Sequence, residues 1–126
     1  MILNISVYAF IVLTALVILF QLCLAAGLPW GAASMGGKFK GKYPKKMRIV
    51  AILNSFLLAF FIIIILSRST FAFSSLFSFS KIAIWFLVAF FVIGTVMNSI
   101  TPSKIERIWA PVTLLQFITS LIIALN

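Results

Sequence analysis

The sequence predicts an all-α integral membrane protein built as a four-helix bundle. Four stretches without Asp, Glu, Lys or Arg, residues 1–37, 49–67, 82–103 and 108–126, alternate with short basic connections. Since a helix rises about 1.5 Å per residue, roughly 20 apolar residues cross a hydrocarbon core ~30 Å thick. With 64% hydrophobic residues, the 126-residue chain has no segment that could form a separate soluble domain. The prediction is therefore a single transmembrane domain, residues 1–126.

The four spans are predicted at about 2–27, 47–66, 82–100 and 104–125. The first should end at Leu28-Pro29-Trp30-Gly31, because proline disfavours helix before it and glycine permits turns. Between the second and third spans, SRSTFAFSSLFSFS alternates phenylalanine with serine. That pattern predicts a segment in the membrane interface, either a short amphipathic helix or a loop packed on the bundle.

The start of the fourth span carries a capping signature. Ser103 would be the N-cap and Glu106, three residues on, would complete a capping box, which starts the helix near Lys104. Pro111 then falls inside the helix and predicts a bend, because it removes one backbone hydrogen bond.

The distribution of basic residues predicts the orientation. Eight of the ten Lys and Arg residues lie in the first and third connections, and Arg68 and Lys81 flank the second. Because positive loops stay in the cytoplasm, these two connections should be cytoplasmic and both termini external. The expected location is the cell's inner (plasma) membrane, with the chain crossing it several times.

The first loop is the predicted docking surface. Cations this close to a bilayer attract anionic headgroups by ~1 kcal/mol each, so anionic lipids, and not nucleic acid, are the expected partners. The glycines do not form a phosphate-binding P-loop, because Lys38 is followed by Phe39 where Ser or Thr is required. A plain solvated turn is the alternative. The predicted docking residues are Trp30, Gly36, Gly37, Lys38, Lys40, Lys42, Lys45, Lys46 and Arg48.

Missing residue types exclude much chemistry. The chain has no histidine, one cysteine and one acidic residue, so one copy cannot assemble an ordinary metal site or a pair of carboxylates. Glu106 is assigned to helix capping. No cofactor and no enzyme activity are predicted.

The polar residues within the spans are neutral, and they recur at helical spacing. One interpretation is that they join the helices by interhelical hydrogen bonds worth ~0.6 kcal/mol each. The other is a polar path for an ion or small solute, lined by Gln21, Asn54, Asn98 and Gln116.

Two motif groups carry a family resemblance. Gln21-x-x-Leu24-Ala25-x-Gly27-x-Pro29-Trp30-Gly31 precedes Gly36-Gly37 and Pro44-x-x-x-Arg48, and Thr101-Pro102-Ser103-x-x-Glu106-Arg107-x-Trp109-x-Pro111 follows later. Together they resemble a family of small four-span bacterial membrane proteins that is uncharacterised, so the resemblance implies a fold and no activity.

Two other families share the four-span layout. Small multidrug transporters are similar in size, but they depend on a glutamate in the first helix, and residues 2–27 contain no acid. Dual-topology fluoride channels resemble the chain at Asn54-Ser55-Phe56-Leu57-Leu58 and Ser69-Thr70-Phe71. Here, however, the Phe/Ser run lies in a predicted loop, and the charge bias favours one orientation.

The leading functional hypothesis is a non-enzymatic membrane protein that acts by association, as an accessory, regulatory or immunity-type subunit. Its partner would be a second copy or another membrane protein, with the basic first loop as the docking surface. The alternative is a small oligomeric channel or transporter for an ion or small solute.

Overall fold

The computed structural model describes all 126 residues, and it is an all-α four-helix bundle, as predicted. Each helix is long and apolar enough to cross a membrane, so the chain is a multi-pass membrane protein. Single 3-10 turns interrupt the connections, at Gly31–Ala33, Met35–Gly37, Ser74–Leu76 and Glu106–Ile108. The helices are α1 (Ile2–Ala25), α2 (Lys45–Arg68), α3 (Phe77–Ile100) and α4 (Trp109–Leu125).

Successive helices run in opposite directions, which brings the first loop (residues 26–44) and the third loop (residues 101–108) to the same end of the bundle. We call this the basic end. The second loop (residues 69–76) and both termini lie at the opposite end. The α3–α4, α1–α2 and α1–α4 pairs share the most extensive interfaces, whereas α2 and α3 touch less closely.

Most of the helical surface is apolar and faces outward. Between 22% and 33% of the residues in each span are buried, and large side chains such as Phe56 and Phe86 are more than two-thirds exposed. So extensive an exposed apolar surface is not tolerated in water. It is the surface expected of helices that face lipid on their outer side.

The main core occupies the half of the bundle away from the basic end. Thirteen buried residues from all four helices form it, and three phenylalanines lie among them. The ring of Phe91 makes edge contacts with Phe10 at 5.5 Å and with Phe61 at 5.8 Å between centroids. Edge-to-face packing of this kind is favourable beyond the area buried, and it closes this half of the bundle.

Helix α3 begins earlier than predicted. It starts at Phe77, five residues before Ile82, and so the Phe/Ser segment is divided between the second loop and the first turn of α3. The physical reason is that residues 77–81 contain no proline or glycine to stop a helix. α2 is also longer than predicted. It runs from Lys45, directly after Pro44, to Arg68.

The predicted capping box at the start of α4 is wrong. The Glu106 carboxylate does not accept from the backbone of Ser103, whose N–H instead meets the Thr101 hydroxyl at 3.3 Å. α4 itself begins at Trp109, after a 3-10 turn, and has no side-chain cap. Pro111 consequently lies in the first turn, where a backbone N–H has no intrahelical acceptor. The cause of the predicted bend is therefore absent.

Candidate functional site

The first loop folds back on itself at Gly31. Its N–H donates to the carbonyl of Gly41 at 2.9 Å. A Cβ placed on Gly31 would lie 1.8 Å from the carbonyl oxygen of Phe39. Only glycine therefore allows these two segments of the loop to approach each other this closely. The loop is thus a compact structure and not an open, solvated turn.

Glu106 connects the first and third loops. Its carboxylate oxygen Oε1 accepts the N–H of Gly36 at 3.0 Å and also the hydroxyl of Thr101. Hydrogen bonds to a charged acceptor are worth more than those between neutral groups. The only acidic side chain of the protein therefore anchors the glycine-rich segment of the basic end.

Two further side chains reach from the third loop and α4 to the first loop. The Ser103 hydroxyl donates to the carbonyl of Ala32, and the indole N–H of Trp109 donates to the carbonyl of Ala33 at 3.0 Å. The Trp109 ring packs on Phe20 of α1, with 4.7 Å between centroids. These contacts tie loops of distant sequence position into one unit.

Arg48 lies against the first loop and does not project from it. Its Nε donates to the carbonyl of Tyr43 at 3.2 Å. A Cβ on Gly27 would come within 2.6 Å of its guanidinium, and the side chain is half-buried. Arg48, one of the predicted docking residues, thus stabilises the first loop.

Tyr43 is buried beneath the loop, and its hydroxyl lies 2.5 Å from the hydroxyl of Ser34. Burial raises the pKa of Tyr43 above its ordinary value of 10.0 because it disfavours the phenolate. The hydrogen bond with Ser34 acts in the opposite direction, and the negative charge of Glu106 raises the pKa further.

Six lysines at the basic end are exposed. Since Glu106 is the only acidic side chain and is already bonded to Gly36 and Thr101, these ammonium groups have no carboxylate to neutralise them. Trp30 is also about half exposed beside them, whereas Gly36 and Gly37 lie inward against the third loop. The exposed lysines are Lys38, Lys40, Lys42, Lys45, Lys46 and Lys104.

The four residues of the predicted polar path line two adjoining cavities. With the basic end placed at the bottom, the lower cavity, about 120 Å³, lies next to the first loop and is lined by Gln21, Asn98 and Glu106 among others. The upper cavity, about 150 Å³, lies farther from the basic end, among all four helices, and Gln21, Asn54 and Gln116 contribute to its wall. The two share Val17, Gln21 and Thr113.

Most other polar side chains in the spans bond to their own helix. The hydroxyls of Ser55, Thr95 and Thr113 each donate to the carbonyl four residues earlier. Gln116 differs, because its Nε2 donates to the hydroxyl of Thr14 on α1 at 2.9 Å. The interhelical network expected from the sequence is thus reduced to this one bond between side chains within the spans.

Two members of the basic end, Ser34 and Tyr43, have no signal in the sequence, because nothing in the local pattern shows that a loop serine and a loop tyrosine nine residues apart meet. For Glu106 the sequence predicts a capping contact, whereas its actual partner Gly36 lies 70 residues away.

No protein-family model, curated protein or solved structure matches this chain. The resemblance to a four-span family therefore stays a prediction. The fold and the site define a small multi-pass membrane protein. Hydrogen bonds of Glu106, Ser103 and Trp109 hold its basic end together, and two adjoining polar cavities extend from that end into the bundle.

Proposed function

We propose that this protein acts without catalysis, as an accessory, regulatory or immunity-type subunit of the plasma (inner) membrane. Its basic end binds anionic lipid headgroups and an acidic surface of another membrane protein. A second copy has no such surface, since Glu106 is its only acid, so association of two copies would use other contacts. The observation that carries the proposal is a set of six exposed lysines without acidic partners. Four lie on the first and third loops, which Glu106, Ser103 and Trp109 join, and two lie in the first turn of α2.

Bracing matters because an ordered surface loses less conformational entropy on binding than a flexible loop does. Each cation near an anionic bilayer contributes ~1 kcal/mol. Several cations presented together would therefore hold anionic lipid at this end, whereas the opposite end offers only Arg68 and Lys81.

The proposal places the basic end in the cytoplasm, since eight of ten basic residues lie there. In a Cys23→Ala background, we expect Lys42→Cys in intact cells to react with an impermeant thiol reagent only after permeabilisation. Labelling of Lys42→Cys in intact cells would show that the basic end faces outward, which would remove the basis for cytoplasmic docking.

The docking test replaces Lys38, Lys40, Lys42, Lys45 and Lys46 together. We expect the five-glutamine variant, purified in mild detergent, to lose co-purifying anionic phospholipid, and a five-arginine variant to retain it. High salt should mimic the glutamine variant, because exposed charges are screened. Equal anionic lipid in the glutamine variant and the wild type would reject the proposal.

A second candidate function is passage of a small solute, and the two adjoining cavities favour it. The main core closes the other half of the bundle, so passage would require Phe10, Phe61 and Phe91 to separate. Flux into proteoliposomes that is lost on Asn98→Leu or Gln116→Leu would support this function. No flux across a panel of ions and neutral solutes would count against it.

A further inference from the structure

Three adjoining spaces are arranged in a row from the surface of the basic end into the bundle. A groove of about 700 Å³ between the first loop and the end of α3 shares Ser34 and Glu106 with the lower cavity. The lower cavity shares Gln21 and Thr113 with the upper one. The row ends at Gln116, which lies seven residues after Trp109, or about 10 Å along α4 at ~1.5 Å per residue.

The side-chain amide of Gln116 has a hydrogen-bond partner at only one of its two ends. The residue is 1% exposed, and its Nε2 donates to Thr14, but its Oε1 has no hydrogen-bond partner. A buried polar atom left without a partner destabilises the folded state. Rotating the amide by 180° would exchange its two ends and leave the other one unpaired. Oε1 is itself shielded from water-sized molecules, so a ligand in the upper cavity would supply the missing donor once the Gln116 side chain turns towards it.

The walls of the upper cavity favour an uncharged ligand. None of its lining residues is ionisable, and Leu57, Leu58, Phe90 and Phe91 form its apolar side. Moving a bare charge into such surroundings costs far more than one hydrogen bond returns. At about 30 Å³ for each water molecule, the cavity has room for about five waters or one small organic molecule.

We propose that the upper cavity binds a small uncharged molecule of the carboxamide or urea class, which carries both N–H donors and a carbonyl acceptor. Its N–H would donate to Oε1 of Gln116, and its carbonyl would accept from the side-chain amide of Asn54, with Gln21 lining the same cavity. The ligand would enter from the basic end, through the groove that Glu106 lines. This binding requires neither docking nor transport.

The chain offers a direct readout, because it has only two glutamines and both line the upper cavity. In the full-length protein labelled with nitrogen-15 glutamine, we expect acetamide or urea to shift both side-chain amide resonances saturably. In Gln116→Leu the remaining Gln21 signal should respond at least tenfold more weakly. Leu115→Ala, on the exposed side of α4, should respond as the wild type does.

Asn54→Leu provides a second test of the same wall should Gln116→Leu fail to fold, and it should also weaken the response at least tenfold. Three results would overturn the proposal. The first is no saturable shift with acetamide or urea, which would mean that the cavity holds only water. The second is an equal response to methylammonium, and the third is an unchanged response in Asn54→Leu. The five-glutamine lysine variant should bind acetamide normally, as judged from the Gln21 and Gln116 resonances assigned in the wild type, so docking and cavity binding fail separately.

Discussion

Glu106 illustrates how one side chain organises the basic end. In Glu106→Gln the amide oxygen can still accept from Gly36, but the charge is lost, and hydrogen bonds to charged groups exceed neutral ones by about 1 kcal/mol. We expect the Gly36 amide to exchange its hydrogen roughly fivefold faster than in the wild type. Lys104→Gln, which alters a neighbouring charge but not the acceptor, should leave the exchange unchanged. Equal exchange in Glu106→Gln would show that the charge has no role in bracing.

Tyr43 gives the basic end a pH dependence with a definite sign. The free phenol titrates at 10.0, and the pKa of the buried side chain is higher. The folded loop therefore holds its proton at pH values where the released loop has lost it. Its stability is complete below pH 10 and falls as pH rises through the folded pKa.

The measurement is tyrosinate absorbance in a Tyr8→Phe background, which leaves Tyr43 as the only tyrosine. We expect a midpoint above 10.0. Ser34→Ala should raise the midpoint further, because the hydrogen bond between Ser34 and Tyr43 lowers the pKa of Tyr43. A midpoint at 10.0 would mean that the phenol is not buried in the folded protein.

At the scale of the helices, α4 tests the position of Pro111. Because this proline lies in the first turn, Pro111→Ala should change the free energy of unfolding by less than about 0.5 kcal/mol. Leu115→Pro, one turn further along the same helix, should cost about 3 kcal/mol, since it removes an internal hydrogen bond. Thermal unfolding in detergent measures both. A gain of about 3 kcal/mol in Pro111→Ala would place the proline inside the helix, contrary to the structure.

Helix positions were predictable where one strong local signal acts. Runs of uncharged residues reveal the four spans, but α2 starts at Lys45, two residues before the predicted position, because the helix begins directly after Pro44. The start of α3 was missed because phenylalanine and serine fit both a helix and an interfacial loop. The start of α4 was misassigned because the spacing of Ser103 and Glu106 matched a capping box, whereas Gly36 from the other loop competes successfully for the carboxylate.

For the whole molecule, the sequence indicated which polar residues were candidates for a path but not how they would meet. Helical spacing places Gln21 on one face of α1, and only the packing of four helices decides that Asn54 and Gln116 join it around one cavity. The unpaired oxygen of Gln116 is a property of that packing, since it depends on Thr14 from another helix. No local pattern contains this information.

The bundle is divided along its length into a polar half at the basic end and a closed apolar half. Gln21 and Val7 lie on the same helix, one on the cavities and the other completely buried in the main core. In a Cys23→Ala background, Gln21→Cys should react with a small charged thiol reagent, and Val7→Cys should remain unreactive. The reason is that a charged reagent can enter through the groove beside Glu106 but cannot enter an apolar core.

The side from which the reagent acts decides the outcome. In vesicles of defined orientation, Gln21→Cys should react when the reagent is added at the basic end and not when it is added at the opposite end, because Phe10, Phe61 and Phe91 block the route from there. Phe10→Ala in the same background should open that route and allow labelling from both sides. Equal labelling from both sides without Phe10→Ala would contradict a closed half and would favour a continuous path through the bundle.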